Sequence, residues 1–126
     1  MKNYNIKALI AEDDIVSLKL MSIYLQKLGV MVESAKEGLT LLGKYLTNPH
    51  NYDILFMDIH MPVMDGIQTA VEILEFEKEE NIPHTPIIAV TTNIFEGKIT
   101  KSIDDYILKP VNQTHFEEII KKHIIK

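Results

Sequence analysis

A short apolar run, Ile54–Met57, constrains the fold of this chain more than any other stretch. It is rich in strand-forming residues and bounded by turn signals, which predicts a β-strand. No polar residue alternates with the apolar ones, so we expect this strand to be buried on both faces, as in a parallel sheet covered by helices. Asp58 follows it directly, at the end of the strand where open α/β sheets place their chemistry.

Strand and helix patterns alternate along the rest of the chain. The other predicted strands are Ile6–Ala11, Val30–Val32, Pro86–Thr91 and Asp105–Leu108. Helical periodicity predicts helices over about 15–28, from a Ser34–Glu37 capping box to about Leu46, from Ile67 past Leu74, and from Phe116 to Ile124. The alternation predicts an α/β fold, a doubly wound five-stranded parallel sheet with helices on both faces.

Two segments of this pattern carry more specific expectations. The first helix is expected from the helical spacing of Ile15, Leu18, Ser22, Leu25 and Leu28, with Met21 on the same face. Between Thr91 and Asp105 the chain contains a glycine and β-branched residues, which are weak helix formers. The helix expected there, the fourth along the chain, should therefore be short or irregular.

The composition argues against several classes of function. The net charge is −5 and the chain contains no arginine, so we expect no direct binding to nucleic acid. Cysteine is absent, which excludes disulfides and fits a cytoplasmic location. No apolar run approaches the ~20 residues that span a bilayer, so membrane insertion is not expected. The length of 126 residues fits one domain, residues 1–126.

Acidic residues follow two of the predicted strands. Glu12 and Asp13 come after the first strand, and Asp58 comes after the central one. If these strands are neighbours, the three carboxylates meet at one edge of the sheet and repel each other. A hard dication with oxygen ligands, such as Mg²⁺, would relieve that repulsion. The alternative is that these acids are solvated caps of helices, which is the role we expect for Asp14.

The segment Met57–Gly66, with Asp58, Pro62 and Asp65 in it, closely resembles the phosphoacceptor segment of bacterial response-regulator receiver domains, the CheY-like family. The resemblance extends over nearly the whole chain, and three further site segments match in the same order. They are Glu12–Asp13, Thr91 and Lys109–Pro110. The resemblance implies the flavodoxin-like strand order 2-1-3-4-5.

The resemblance also implies roles for individual residues. Asp58 would be the phosphoacceptor, and Asp13 and Asp58 would bind Mg²⁺ directly. Glu12 would act on the metal through water, and the backbone carbonyl of His60 would complete the protein ligands. The side chain of His60 is expected to be a surface histidine, with a role in tuning hydrolysis as the alternative.

Three residues from the later strands complete the implied site. Lys109 would place a second cation at the phosphoryl group, and its bond to Pro110 is commonly cis in the family. Thr91 would donate its hydroxyl to a phosphoryl oxygen, and Tyr106 would be the aromatic switch residue. Without the resemblance, Thr91 and Tyr106 would be ordinary strand residues and Lys109 a surface lysine.

These implications lead to an expected function. The chain would accept a phosphoryl group from a histidine kinase or a histidine phosphotransfer domain, and would act on a downstream protein. It would not be an enzyme with a separate substrate, although it would assist its own phosphorylation and slow dephosphorylation. It could be a stand-alone regulator, a phosphorelay intermediate or the receiver of a hybrid kinase.

Two other functions are alternatives. One is a protein-interaction module that works without phosphorylation, as degenerate receivers do. The other is a phosphatase with an aspartyl nucleophile, which would need a second acid where this chain has His60.

Overall fold

The computed structural model describes residues 4–59, 65–92 and 102–124. Within these ranges, five β-strands alternate with four α-helices. The strands are β1 (Lys7–Ala11), β2 (Met31–Ala35), β3 (Ile54–Asp58), β4 (Ile87–Thr91) and β5 (Asp105–Leu108). The helices are α1 (Ile15–Lys27), α2 (Gly38–Thr47), α3 (Gly66–Glu80) and α4 (Gln113–His123), with a 3₁₀ turn at Pro49–Asn51.

The strands form one parallel sheet in the order β2-β1-β3-β4-β5. This confirms the expected strand order and the doubly wound architecture. β3 lies at the centre, and all five of its residues are buried. β1 and β4 pair with its two sides, so β3 is the central strand. Asp58 is the last residue of β3 and lies at its carboxyl end, as predicted.

Alternate residues of β3 enter two separate apolar layers. Leu55 and Met57 pack in a layer that includes residues of α2 and α3. Phe56 packs on the opposite face, where its ring meets that of Phe116 from α4 edge-on at 5.2 Å. Each such buried side chain contributes roughly 1.5–3 kcal/mol relative to an exposed one. The two layers confirm that helices cover both faces of the sheet.

Local sequence signals account for the starts of two helices. Asp14 caps α1, since its carboxylate accepts a hydrogen bond of 2.9 Å from the Ser17 amide. Asp65 caps α3 in a reciprocal arrangement with Gln68. Such caps satisfy amides that have no partner inside the helix. They also fix where α1 and α3 leave the edge of the sheet.

The start of α2 differs from the expected capping box. β2 runs on to Ala35, and α2 begins only at Gly38, after Glu37. Ser34 is paired with Ile10 of β1 and is not a helix cap. The prediction of a Ser34–Glu37 capping box was therefore wrong, because pairing with β1 outweighed the local helix signal.

The segment between β4 and β5 lies largely outside the described residues, since 93–101 are among those left out. The expectation of a short or irregular helix there stays a prediction. None of the helices in the described part of the chain is long and apolar enough to cross a membrane.

Candidate functional site

Five of the predicted site residues lie at the carboxyl edge of the sheet. Glu12 and Asp13 follow β1, Asp58 ends β3, Thr91 ends β4, and Lys109 follows β5. Three carboxylate oxygens, one from each of Glu12, Asp13 and Asp58, lie within 4.8 Å of one another. The three carboxylates thus meet at one edge of the sheet, as expected for neighbouring parallel strands.

Lys109 reaches across the edge to two of the acids. Its Nζ lies 2.8 Å from Glu12 Oε1 and 3.6 Å from Asp58 Oδ2. Burial alone lowers the pKa of the Lys109 ammonium, but the hydrogen bond to Glu12 and the charge of Asp58 outweigh it and raise that pKa. Lys109 is therefore a fixed positive charge close to Asp58.

The backbone also holds Lys109 in place. Its amide donates a 2.8 Å hydrogen bond to the carbonyl of Thr91, and its peptide bond to Pro110 is cis. The cis bond is the one that the resemblance implied. The ends of β4 and β5 are thus tied together immediately beside the acids.

Glu12 is almost fully buried, with 1% of its surface exposed. One carboxylate oxygen accepts the Lys109 hydrogen bond and the other accepts a 3.2 Å bond from the Asp14 amide. Burial raises the pKa of Glu12, the Lys109 bond opposes this, and the nearby charge of Asp58 raises it further. Because both oxygens already have protein partners, Glu12 is poorly placed to be a direct metal ligand.

The cluster fits a hard divalent cation. Its side-chain donors are all carboxylate oxygens, and three carboxylates face one ammonium, which leaves an excess of negative charge. Asp13 is exposed, and Asp58 lies at the strand end beside it. Asp14 is not part of the cluster, and its hydrogen bond from the Ser17 amide lowers its pKa. The register of the predicted acids is consistent with this geometry.

The first turn of α3 presses against the chain just after Asp58. The Gly66 amide donates a 3.0 Å hydrogen bond to the Ile59 carbonyl. A Cβ atom on Gly66 would lie only 2.7 Å from the Asp58 carbonyl oxygen, closer than any side chain tolerates. The sequence gave no sign of this close approach. The absence of a side chain at Gly66 thus allows α3 to pack against the carbonyl of Asp58.

The two predicted switch residues lie in different environments. Thr91 is 1% exposed at the end of β4, whereas Tyr106 is 39% exposed in β5. Their switch roles stay predictions. His60 lies outside the described residues, so its expected role as a metal ligand through its carbonyl also stays a prediction. Thr92, next to Thr91, is exposed beside the site.

An apolar surface beside the site was not foreseen. Ile15 and Val16, in the first turn of α1, are 67% and 73% exposed. Ile15 shares the helical spacing of Met21 and Leu25, but those two side chains are buried whereas Ile15 is exposed. A depression of about 350 Å³ lies alongside, between α1 and the residues after β5. It is lined by Ser17, Leu20, Met21, Thr92, Lys109, Pro110 and Val111.

Comparison with known proteins gives matches over nearly the whole chain. The family described as response regulator receiver domain matches residues 8–121. A curated relative, hybrid signal transduction histidine kinase L of Dictyostelium discoideum, is 37% identical over 122 residues, which is 93% of this chain. The chain spans only 7% of the length of that relative.

Solved structures of receiver domains also match this chain in backbone fold. The receiver domain of sensor histidine kinase PA1611 from Pseudomonas aeruginosa, with a magnesium ion in its active-site cleft, has a TM-score of 0.84 and 27% identity. The match covers 96% of this chain and 98% of that one. A co-crystal structure of the Saccharomyces cerevisiae phosphotransfer protein Ypd1 with the receiver domain of Ssk1 matches with a TM-score of 0.82 and 26% identity. That match covers 94% of this chain and 88% of the other.

Proposed function

Because this chain belongs to the family of response regulator receiver domains, which have a phosphoacceptor signalling role, we propose that its acceptor is Asp58. The observation that carries this assignment is the placement of Asp58 at the end of the central strand, with Lys109 Nζ 3.6 Å away. A carboxylate oxygen of Asp58 would bond to phosphorus while the bond from phosphorus to the donor nitrogen breaks. The product is an acyl phosphate.

The neighbouring residues would supply position and charge. Phosphoryl transfer depends mainly on holding the group in line and on neutralising its oxygens. Lys109 provides a fixed cation, and its hydrogen bond to Glu12 keeps its amine on the Asp58 side of the site. The Thr91 hydroxyl would donate to a phosphoryl oxygen, and Tyr106 would respond to that contact. The arrangement of β4 and β5 supports these roles, since their ends lie against each other.

The acid cluster is proposed to bind Mg²⁺ through Asp13 and Asp58, with Glu12 acting through water. The carbonyl of His60 would be a further ligand. The magnesium ion in the PA1611 receiver structure supports this choice of cation. When bound, Mg²⁺ supplies positive charge that stabilises the oxygens of the transferring group.

Substitution of Asp13 should weaken Mg²⁺ binding far more than substitution of its neighbour. We expect Asp13→Asn to lose roughly tenfold in affinity, or about 1.4 kcal/mol, because a charged ligand becomes neutral. Asp14→Asn is the matched control, since asparagine caps a helix as well as aspartate does. Isothermal titration with MgCl₂ measures both. Equal losses in the two variants would place the ligand register off by one residue.

The phosphoryl donor is proposed to be a histidine kinase or a histidine phosphotransfer domain. The Ypd1–Ssk1 co-crystal structure supports a partner of this kind. Exposed Ile15 and Val16 beside the site, with the adjoining depression, offer the apolar contact area that marks interaction surfaces. The output would be a contact with a downstream protein. We place the domain in the cytoplasm, without direct binding to nucleic acid, in keeping with its negative charge.

The domain is proposed to have no separate substrate and so not to be an enzyme in the usual sense. It would assist its own phosphorylation and its own slow dephosphorylation. An interaction module that works without phosphorylation is less well supported, because the acids and Lys109 are all present and in contact. An aspartyl phosphatase would need an acid at the position of His60.

Incubation with phosphoramidate and Mg²⁺, followed by intact mass measurement, tests the proposed function. We expect the chain to gain one phosphoryl group and to lose it slowly after the donor is removed. Chelation of the metal before the donor is added should suppress the gain. A chain that stays unmodified with the metal present would support the interaction module instead.

Phosphorylation is also expected to order the segment that links β4 to β5. Thr91 and Lys109 flank it, so its two ends are held at the proposed site. Because the sequence from Thr92 to Asp104 has weak helix propensity, a contact with the phosphoryl group can bias an existing equilibrium at small cost. Amide hydrogen exchange with and without a beryllofluoride mimic should show the largest gain in protection there. Changes confined to α1 or α4 would place the output surface elsewhere.

A further inference from the structure

A second polar cluster lies near the amino-terminal edge of the sheet, away from the acids around Asp58. It joins α2, α3, the loop before β4 and the residue before β5. Its members are Tyr45, Glu77, His84, Thr85 and Asp104. The phosphoacceptor chemistry uses none of these residues.

Glu77 anchors the cluster from α3. Its carboxylate is 4% exposed, and it accepts hydrogen bonds from the Tyr45 hydroxyl at 2.7 Å and from the Thr85 amide at 2.9 Å. Its other oxygen lies 2.7 Å from Nδ1 of His84. A buried carboxylate is stable only with such partners. Glu77 is therefore a buried hydrogen-bond acceptor whose second oxygen, Oε1, faces His84.

His84 faces a second carboxylate with its other ring nitrogen. Nε2 lies 2.7 Å from Oδ2 of Asp104, and the same oxygen accepts the amide of Ile87 at 2.7 Å. Both carboxylates thus take hydrogen bonds from other donors as well. A neutral imidazole has one N–H donor and one acceptor, whereas an imidazolium has two donors. When both carboxyl groups are ionised, only the doubly protonated ring can donate to both of them.

We propose that His84 is a pH-dependent latch that fastens the start of β5 to α3. In the imidazolium form it bridges Glu77 and Asp104. When the ring loses one proton, only one N–H remains, and one of the two bonds must go. The bond to Glu77 is kept, because Oε1 of this buried carboxylate would lose its donor, whereas Oδ2 of Asp104 keeps the Ile87 amide and its side chain is 30% exposed to water.

The charged surroundings set the direction of the effect. Around His84, the described residues place Glu77 on α3, Asp104 before β5, Tyr45 on α2, and His50 and Asp53 along the depression next to it. Partial burial lowers the pKa of His84, but the hydrogen bonds to Glu77 and Asp104 outweigh it and raise that pKa above its ordinary 6.5. The latch is therefore fully closed below pH 6.5 and opens as the pH rises through the higher folded value.

The consequence falls on the part of the chain that leads into β5. Asp104 directly precedes that strand and also donates its own amide to the carbonyl of Ile87. Tyr106, the predicted switch residue, lies two positions further on. Opening of the latch would release the Asp104 side chain, just before β5, from His84. The protection of amides at the start of this strand would then depend on pH. The proposal stands whether or not Asp58 is phosphorylated.

Two measurements on the whole chain test the latch. Imidazole ¹H–¹⁵N spectra should show both nitrogens of His84 protonated at pH 6.5, and Asp104→Asn should shift its titration to lower pH. Amide exchange over 102–106, corrected for the intrinsic effect of pH, should show roughly tenfold less protection at pH 9 than at pH 6.5. His84→Gln should abolish that difference, while His50→Gln should keep it.

A neutral His84 ring at pH 6.5 would overturn the proposal. It would also be overturned if His84→Gln kept the pH response of the unaltered chain. Should His84→Gln fold poorly, Asp104→Asn serves in its place, since it keeps a hydrogen-bond acceptor but removes the second charge. It should show the weaker protection of 102–106 already at pH 6.5.

Discussion

Asp58→Asn is expected to abolish the gain of a phosphoryl group from phosphoramidate and Mg²⁺. The substitution keeps the size of the side chain, but an amide oxygen is a far weaker nucleophile than a carboxylate. It also removes one of the carboxylates from the candidate metal site. Intact mass after incubation should show the unmodified chain alone, under conditions that fully modify the parent protein.

Asp14→Asn is the matched control for this experiment. Asp14 lies next to the acid cluster but is used as the cap of α1, where asparagine serves equally well. This variant should be modified to the same extent as the parent chain. Labelling of Asp58→Asn at the parental level would assign the acceptor to another acid, and peptide mapping would identify it.

The alternation of strands and helices and the place of Asp58 could be predicted because their signals are local, whereas the strand order was implied by the resemblance to receiver domains. The apolar run of β3 has a strand signature, and Asp58 follows it at once. The caps Asp14 and Asp65 act on amides within three residues of themselves. Since parallel strands end at the same edge, the acids after β1 and β3 had to meet there once the strand order was right.

Contacts between distant residues could not be predicted in the same way. The hydrogen bond from Lys109 to Glu12 spans 97 positions, and its geometry depends on where β1 and β5 end in the sheet. The bridge from Glu77 through His84 to Asp104 likewise needs three elements to be in place. Side chains of this kind leave no periodic trace in the sequence, because their partners lie on other elements.

Local signals also failed where tertiary structure overrode them. Ser34 has the residue pattern of a helix cap, but pairing between β1 and β2 holds it in a strand. Ile15 has the helical spacing of the core residues Met21 and Leu25, yet it is exposed. Periodicity indicates which face of a helix is apolar, and not which turns of that face are covered by the rest of the fold.

Gly66→Ala is expected to destabilise the protein by about 1–3 kcal/mol, since a methyl group would be forced into a packed backbone contact. The added Cβ would meet the carbonyl oxygen of Asp58 at 2.7 Å and the Cα of Ile59 at 3.1 Å. Both are backbone atoms, so the strain cannot be relieved by a change of rotamer. α3 must then move away from β3, and this movement also displaces Asp58, the proposed phosphoacceptor. Urea unfolding should show a lower midpoint, and labelling of Asp58 should be slower.

Gly43→Ala is the matched control, because Gly43 lies on the exposed side of α2 and a Cβ there would meet nothing within 4 Å. In a helix interior, alanine is favoured over glycine by roughly 0.5–1 kcal/mol, so this variant should be more stable than the parent. The same substitution is thus expected to have opposite signs at the two positions. If both variants gained stability, α3 would not rest on the Asp58 carbonyl, and Gly66 would have no part in holding the acceptor.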